Sequence, residues 1–150
     1  MASPPTATAQ ERKFYVVKNN IYSYLPKNVK AAKKQLQGVL KKHAPDEPFD
    51  CPVYVKIIWC FPYKKSEKKE NIGKVIPKTT RPDTANLNKM LHDIMTECGY
   101  WQDDALIVRG TEEKCWYEKS GIYIKVLPVD ERFSQKIEEA VNSTAREEKE

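Results

Sequence analysis

The feature that most restricts the fold is a helix predicted between Thr84 and Cys98. At 100° per residue counted from Asn86, its apolar side chains fall between about 80° and 180° and form a single stripe. The stripe consists of Leu87, Leu91, Ile94, Met95 and Cys98. Gly99 follows directly and is a typical helix-ending residue. A helix with one apolar side must bury it against another layer of structure.

Strand patterns before and after this helix predict that layer. Residues 52–61 are dense in Val, Ile, Tyr and Trp and stop at Pro62, which indicates a buried or half-buried strand. Further strands are predicted at 13–17, 21–24, 105–117 and 121–127, and further helices at 28–42 and 130–142. Helices alternating with strands predict a mixed α/β (α+β) domain, with helices packed on a small mixed sheet, rather than a helical bundle.

The 150 residues are enough for one domain with a real core. We expect this domain to span residues 12–143, after a Pro-, Ser-, Thr- and Ala-rich disordered segment at 1–11 and before a frayed tail at 144–150. No apolar run approaches the roughly 20 residues that cross a bilayer, and the N-terminus lacks the plan of a signal peptide. An intracellular protein without a membrane partner is expected.

The cysteines argue against a zinc site. The four of them, Cys51, Cys60, Cys98 and Cys115, show no CxxC spacing and have no nearby pair of histidines. Cys60 and Cys98 lie in apolar stretches, so we predict that they are reduced core residues.

The chain has a net charge of +5, and its placement is informative. Residues 63–81 contain seven basic and two acidic residues, so this segment alone carries an excess equal to that of the whole chain. The basic residues are Lys64, Lys65, Lys68, Lys69, Lys74, Lys78 and Arg81. A lysine-rich stretch is also typical of a solvated loop. Because this one leads directly into acidic residues, the pattern favours a bound polyanion such as DNA.

The side of the predicted helix opposite its apolar stripe is polar. Lys89, Asp93 and Asn86 fall at about 300°, 340° and 0°, near the helix start at Asp83. Taken alone, Asp83 is better interpreted as a helix-capping residue. His92, at about 240°, lies off this group and is predicted to be a surface histidine.

Two further acids, Asp103 and Asp104, precede the next strand. They are compatible with a plain turn, and if the strand began there they would point to opposite sides, so that only one could face the helix. The combination is more specific than its parts. Hard cations such as Mg²⁺ bind carboxylate oxygens and are often shared with a substrate phosphate, and a neighbouring lysine can neutralise charge on that phosphate.

At these residues the chain resembles the RusA-type Holliday junction resolvases of bacteria and their phages. The family pattern is a basic residue and Asp-x-Asp-Asn-x-x-Lys, then a helix, then Gly-aromatic-x-x-Asp-Asp and an apolar strand. The matching segments here are Arg81-Pro82-Asp83-Thr84-Ala85-Asn86-Leu87-Asn88-Lys89 and Gly99-Tyr100-Trp101-Gln102-Asp103-Asp104. The resemblance covers residues 81–126 well and the first 80 residues only in outline.

The resemblance implies a small α/β homodimer that makes Mg²⁺-dependent paired nicks in a four-way DNA junction, with Mn²⁺ as an alternative cation. It implies metal-binding carboxylates at Asp83, Asp103 and Asp104 and a catalytic lysine at Lys89, with Asp83 and Asp104 also counted as catalytic. Asn86 and Asp93 would support the site, and the basic residues of the 63–81 segment would bind DNA. The location implied is the bacterial cytoplasm, for a gene of the bacterium, a phage or a prophage.

Ala85 departs from the family pattern. The second carboxylate of Asp-x-Asp belongs at this position, and an alanine cannot bind a cation. Either Ala85 is an inactivating substitution in an active resolvase, or the chain is a natural relative that has lost cutting. The first is favoured because every other motif position is intact. Two functions therefore stay open: a structure-selective endonuclease, and a protein of the same fold that binds DNA without cutting it.

Overall fold

A four-stranded mixed sheet with two helices packed against one face forms the body of the protein. The computed structural model describes residues 4–6, 13–17, 20–24 and 27–147. The strands of the main sheet are β3 (Val53–Phe61), β4 (Ile76–Pro77), β5 (Ile107–Trp116) and β6 (Gly121–Pro128), in the order β4-β5-β3-β6. The helices are α1 (Lys27–Lys42), α2 (Thr84–Glu97) and α3 (Phe133–Glu147). The predicted mixed α/β class is confirmed.

Strand β3 is the centre of the sheet. Its alternate side chains Val53, Val55, Ile57 and Trp59 are at most 1% exposed and point into the core between sheet and helices. This two-residue period is that of a strand with one face against a packed layer. We call that face the inner face and the opposite one the outer face.

Helix α2 crosses the inner face between the two parallel strands. Strand β5 pairs with β3 in parallel, and α2 is the connection between them. Leu87, Leu91, Ile94 and Met95 are fully buried, as the predicted stripe requires. The buried side is wider than predicted, since Asn88 and Met90 are also buried.

Strands β5 and β6 are consecutive in sequence but not neighbours in the sheet. They flank β3, with β6 antiparallel to it. The predicted strand start at Ala105 is two residues too early, because Asp104–Leu106 form a 3₁₀ turn before β5. Strand β4 and a second 3₁₀ turn at Lys69–Asn71 were not predicted from the sequence.

The remaining elements agree with the sequence in kind. Strands β1 (Lys13–Val17) and β2 (Asn20–Tyr24) form a separate antiparallel pair. Helix α1 buries Val29, Ala32, Leu36 and Leu40, whereas Ile137 and Val141 of α3 are exposed. The disorder expected at 1–11 falls mostly outside the described residues, of which 4–6 have no regular structure, and the tail expected to fray lies partly within α3. Among the described helices, none is long and apolar enough to cross a membrane.

Several large aromatic side chains and one cysteine pair belong to the core. Trp59 of β3 is buried, as are Tyr100 and Trp101, which follow α2. Cys60 and Cys115 are buried free thiols with sulfur atoms 3.4 Å apart. Burial and this contact raise the pKa of Cys60 to about 12, so it is a core thiol as predicted. Cys98 is also free but half-buried.

Candidate active site

Asp83 stands directly before the first turn of α2. Its backbone is extended, and its carbonyl oxygen accepts a hydrogen bond from the Leu87 amide at 3.1 Å. Its side chain makes no capping hydrogen bond to the helix. The carboxylate is therefore exposed and is not used in capping, which removes the structural alternative for this residue.

The polar side of α2 is open to solvent. Ala85, Lys89 and Asp93 follow one another at helical spacing and are all exposed, while Asn86 is half-buried. Since the Ala85 position is exposed, a carboxylate there would meet no steric or desolvation barrier. The predicted common side of Lys89, Asp93 and Asn86 is consistent with these exposures.

Asp103 and Asp104 lie beside the second half of α2. Both line a surface depression together with Asp93 and Thr96, and Lys33 and Glu97 close its rim with an ion pair of 2.8 Å. The expectation that only one of the two acids faces the helix is wrong, because the 3₁₀ turn replaces strand alternation at this point. The Asp103 carboxylate accepts a hydrogen bond from the Ala105 amide at 2.8 Å and so caps that turn.

His92 is not the surface residue that its angle predicted. It is half-buried, and its ring meets the Trp101 ring edge to face at a centroid distance of 6.0 Å. Its Nε2 atom is buried without a hydrogen-bond partner among the described residues. Burial lowers the pKa of His92, while the carboxylates of Glu112, Asp104 and Asp93 act in the opposite direction.

Two charged residues of β5 were missed in the sequence. Glu112 and Lys114 pair in register with Ile57 and Trp59, the inward-facing residues of β3, so both lie on the inner face beside α2. Glu112 acts on His92, and Lys114 binds the segment before Asp83. The sequence contains a signal for them: in a strand every second side chain lies on the same side, so Glu112 and Lys114 share a side with Trp116.

The structure brings three of the predicted site carboxylates together and leaves Asp83 apart from them. Asp93, Asp103 and Asp104 line one depression, whereas Asp83 precedes Asp93 by ten residues, about 15 Å along a helix. Within the described residues, no group of three or more His, Cys, Asp or Glu side chains is arranged to hold a metal ion. Ala85 also brings no ligand atom. The residues present therefore do not complete a metal site.

The basic loop, defined as residues 63–75, is ordered and electropositive. Lys64, Lys65, Lys68, Lys69 and Lys74 are exposed, and they form no ion pair with another described residue. The Glu67 carboxylate shapes the loop by accepting hydrogen bonds from the Asn71 amide group at 2.6 Å and the Lys68 backbone at 3.2 Å. The Tyr63 hydroxyl donates to the Lys74 carbonyl. Arg81, beyond the loop, is exposed as well.

Lys78 corrects the prediction of a DNA contact. It is only 5% exposed, and its ammonium donates to the Thr80 carbonyl, the Thr80 hydroxyl and the Arg81 carbonyl at 2.6–3.0 Å. An ammonium has three protons, so these bonds use its full donor capacity. Lys78 is therefore a structural lysine and is not counted among the exposed cations that could bind DNA.

Comparison with known proteins identifies the family. A protein of Lactococcus phage r1t named crossover junction endodeoxyribonuclease rusA is 37% identical over 94 residues, which are 63% of this chain and 70% of the phage protein. The sequence model of the family described as endodeoxyribonuclease RusA matches residues 3–127. That range includes every motif residue of the candidate site and most of the described domain. The chain belongs to the RusA endodeoxyribonuclease family.

Proposed function

We propose that this fold is that of a structure-selective endodeoxyribonuclease acting on four-way DNA junctions in the bacterial cytoplasm. The observation that carries the proposal is the free carboxylate of Asp83, which stands at the start of α2 without capping it and close in sequence to an unpaired basic loop. A carboxylate that serves no structural bond, next to cations suited to phosphate, fits phosphodiester chemistry. Membership of the RusA family gives the substrate class.

In this proposal the residues in and around α2 have different catalytic roles. Lys89, exposed on the same side as Ala85 and Asp93, neutralises charge on the scissile phosphate. Asp83 and Asp104 are the catalytic carboxylates. Asn86, Asp93 and Asp103 support them, and Asp103 does so by holding the turn that presents Asp104.

The chain as it stands lacks the oxygen that the family pattern has at position 85. We propose that an aspartate there completes a site for Mg²⁺ or Mn²⁺, whose chemistry would be to supply the attacking hydroxide and to offset phosphate charge. With Ala85 the site is incomplete, and we expect cutting to be lost or impaired.

The experiment is the substitution Ala85→Asp, assayed for nicking of a labelled four-way junction with Mg²⁺ or Mn²⁺. We expect symmetric nicks in the Ala85→Asp chain and far fewer with Ala85→Asn, a matched control of the same size without the charge. Adding Asp83→Asn or Asp104→Asn to the active chain should abolish nicking with little effect on junction binding, since metal ligation and binding of the phosphate backbone are separate contributions. No cleavage by the Ala85→Asp chain across metals and pH would contradict the proposal.

A DNA-binding protein that does not cut is the second candidate. The observation that favours it is the combination of Ala85 with the lack of an assembled cation site among the described residues. The natural codon at position 85 separates the two candidates, because an alanine codon favours the binder and an aspartate codon the nuclease.

The exposed lysines of the basic loop are proposed to bind the DNA backbone. Changing Lys64, Lys65, Lys68 and Lys69 to glutamine should weaken junction binding and make its salt dependence shallower, by roughly 0.9 in the slope of log K against log salt per lost contact. Changing Lys30, Lys34, Lys41 and Lys42 of α1 removes the same charge from another exposed surface and is the control. Equal losses in both variants would indicate a general charge effect.

Lys89→Ala in the active chain should instead lower the cleavage rate more than the affinity.

We also propose a two-fold symmetric homodimer, since one acidic cluster in each chain allows one cut and a junction needs two. Apolar surface suitable for it lies on the outer face, where Val75 is 60% and Tyr123 is 49% exposed beside a groove that includes Ile58. Light scattering at micromolar concentration tests this proposal. A monomer that stays monomeric on junction DNA would contradict it.

A further inference from the structure

The segment just before Asp83 is attached to the sheet by two lysine ammonium groups. Lys78 donates to the Thr80 carbonyl at 3.0 Å, the Thr80 hydroxyl at 2.6 Å and the Arg81 carbonyl at 2.6 Å. Lys114 of β5 donates to the Thr80 carbonyl at 2.8 Å and the Pro82 carbonyl at 2.9 Å. The carbonyls of three consecutive residues, Thr80 to Pro82, are thus all held by side chains from elsewhere.

Both lysines are firmly anchored. Lys78 is 5% exposed, and its ammonium lies 4.7 Å from the ring centre of Trp116 and 5.1 Å from that of Phe61. Such contacts with aromatic faces stabilise a cation. Lys114 is half-buried on β5, in register with the fully buried Trp59 of β3.

Burying a lysine ammonium group beside other positive charges is energetically unfavourable. Burial lowers the pKa of Lys78, and the nearby positive charges of Lys114 and Lys64 lower it further. Two like charges share the Thr80 carbonyl as an acceptor, although a single neutral donor could satisfy it. In some proteins, polar groups buried at such a cost fix a specific geometry.

We propose that Lys78 and Lys114 are positioning residues for Asp83. The Asp83 side chain has no capping bond to hold it, so the point from which its carboxylate extends is set by the backbone immediately before it. By holding the Thr80 to Pro82 carbonyls, the two lysines fix the first turn of α2 and the carboxylate that precedes it. The catalytic part of this inference rests on the proposed nuclease function.

Amide hydrogen exchange in the chain as it exists tests the first half of the inference. The Leu87 amide, bonded to the Asp83 carbonyl, reports the first helical hydrogen bond of α2, and the Ile94 amide lies about two turns further along the helix. In Lys114→Met we expect the Leu87 amide to exchange roughly tenfold faster, as loss of charge-assisted bonds implies, with Ile94 unchanged. Lys114→Arg, which retains the charge and donors, should restore protection, and Lys125→Met at an exposed position of β6 is the control.

The second half is tested in the Ala85→Asp background. Adding Lys114→Met should lower kcat for junction nicking at least tenfold with junction Kd within about twofold, and Lys114→Arg should recover most of the rate. Unchanged Leu87 exchange, equal acceleration at Leu87 and Ile94, or an unchanged kcat would each overturn the positioning role. If the Ala85→Asp chain does not nick at all, the nuclease proposal fails, while the exchange data still decide whether the lysines fix the helix start. Lys78→Met is the second variant, and in a folded Lys78→Met chain we expect the same faster exchange at Leu87.

Discussion

Helices α2 and α3 are both amphipathic, yet only α2 has a covered apolar side. Leu91 and Ile94 of α2 are 0% exposed, whereas Ile137 and Val141 of α3 are 49% and 61% exposed. The cause is topology: α2 connects two parallel strands and is drawn across the sheet, while α3 follows β6, an edge strand, and does not connect two strands of the described sheet. Amphipathic periodicity therefore identifies an apolar side, and connectivity decides whether the same chain covers it.

The largest effect expected from this contrast is on stability. Ile94→Ala should lower the free energy of unfolding by about 2–5 kcal/mol, because it removes buried methyl groups and leaves a cavity. The identical change Ile137→Ala should lower it by less than about 1 kcal/mol, since that side chain is half exposed. Urea unfolding of the two variants at low protein concentration is the measurement. Equal losses would mean that α3 is covered in solution.

The second prediction concerns a polar group on the buried side of α2. The Trp59 indole donates to the Asn88 side-chain oxygen at 2.7 Å, and Asn88 Nδ2 has no partner among the described residues. Trp59→Phe should therefore lower the unfolding free energy by about 1–3 kcal/mol, because it leaves a buried amide wholly unpaired. Combining it with Asn88→Leu should recover part of the loss. A double variant as unstable as the sum of the two single changes would contradict this account.

Part of this contrast was predictable from the sequence. The stripe of α2 and the polarity of its other side follow from the helical period, and the strand predicted at 52–61 follows from its density of β-favouring residues; both signals are local. The order of the strands in the sheet was not predictable, because pairing of β3 with both β5 and β6 is decided by contacts between residues distant in sequence. The roles of Lys78 and Asp103 were hidden for the same reason: composition counts a lysine as surface charge and cannot show which carbonyl it meets.

The third prediction concerns what covers α3. If its apolar side contributes to the proposed dimer, Ile137→Glu with Val141→Glu should weaken self-association at least tenfold, since charge is poorly tolerated at an interface centre. Glu138→Gln with Glu139→Gln, which changes charge at exposed positions of the same helix, is the control. Sedimentation velocity over a range of concentrations measures both. No change in the dissociation constant would assign the dimer contact to the outer face of the sheet alone.

The smallest effect expected is a pH dependence at His92, where the polar side of α2 meets the sheet. Burial holds the pKa of His92 below its ordinary value of about 6.5 despite three nearby carboxylates, so the unfolded chain takes up this proton at a higher pH than the folded one. The stabilising contribution of neutral His92 is thus complete above the unfolded pKa and is lost as the pH falls through it. His92→Leu should reduce the loss of unfolding free energy between pH 7.5 and pH 5.5, as measured by urea unfolding at the two pH values. A His92→Leu chain with the same pH dependence as the parent would mean that the carboxylates of Glu112, Asp104 and Asp93 offset the burial of the ring in full.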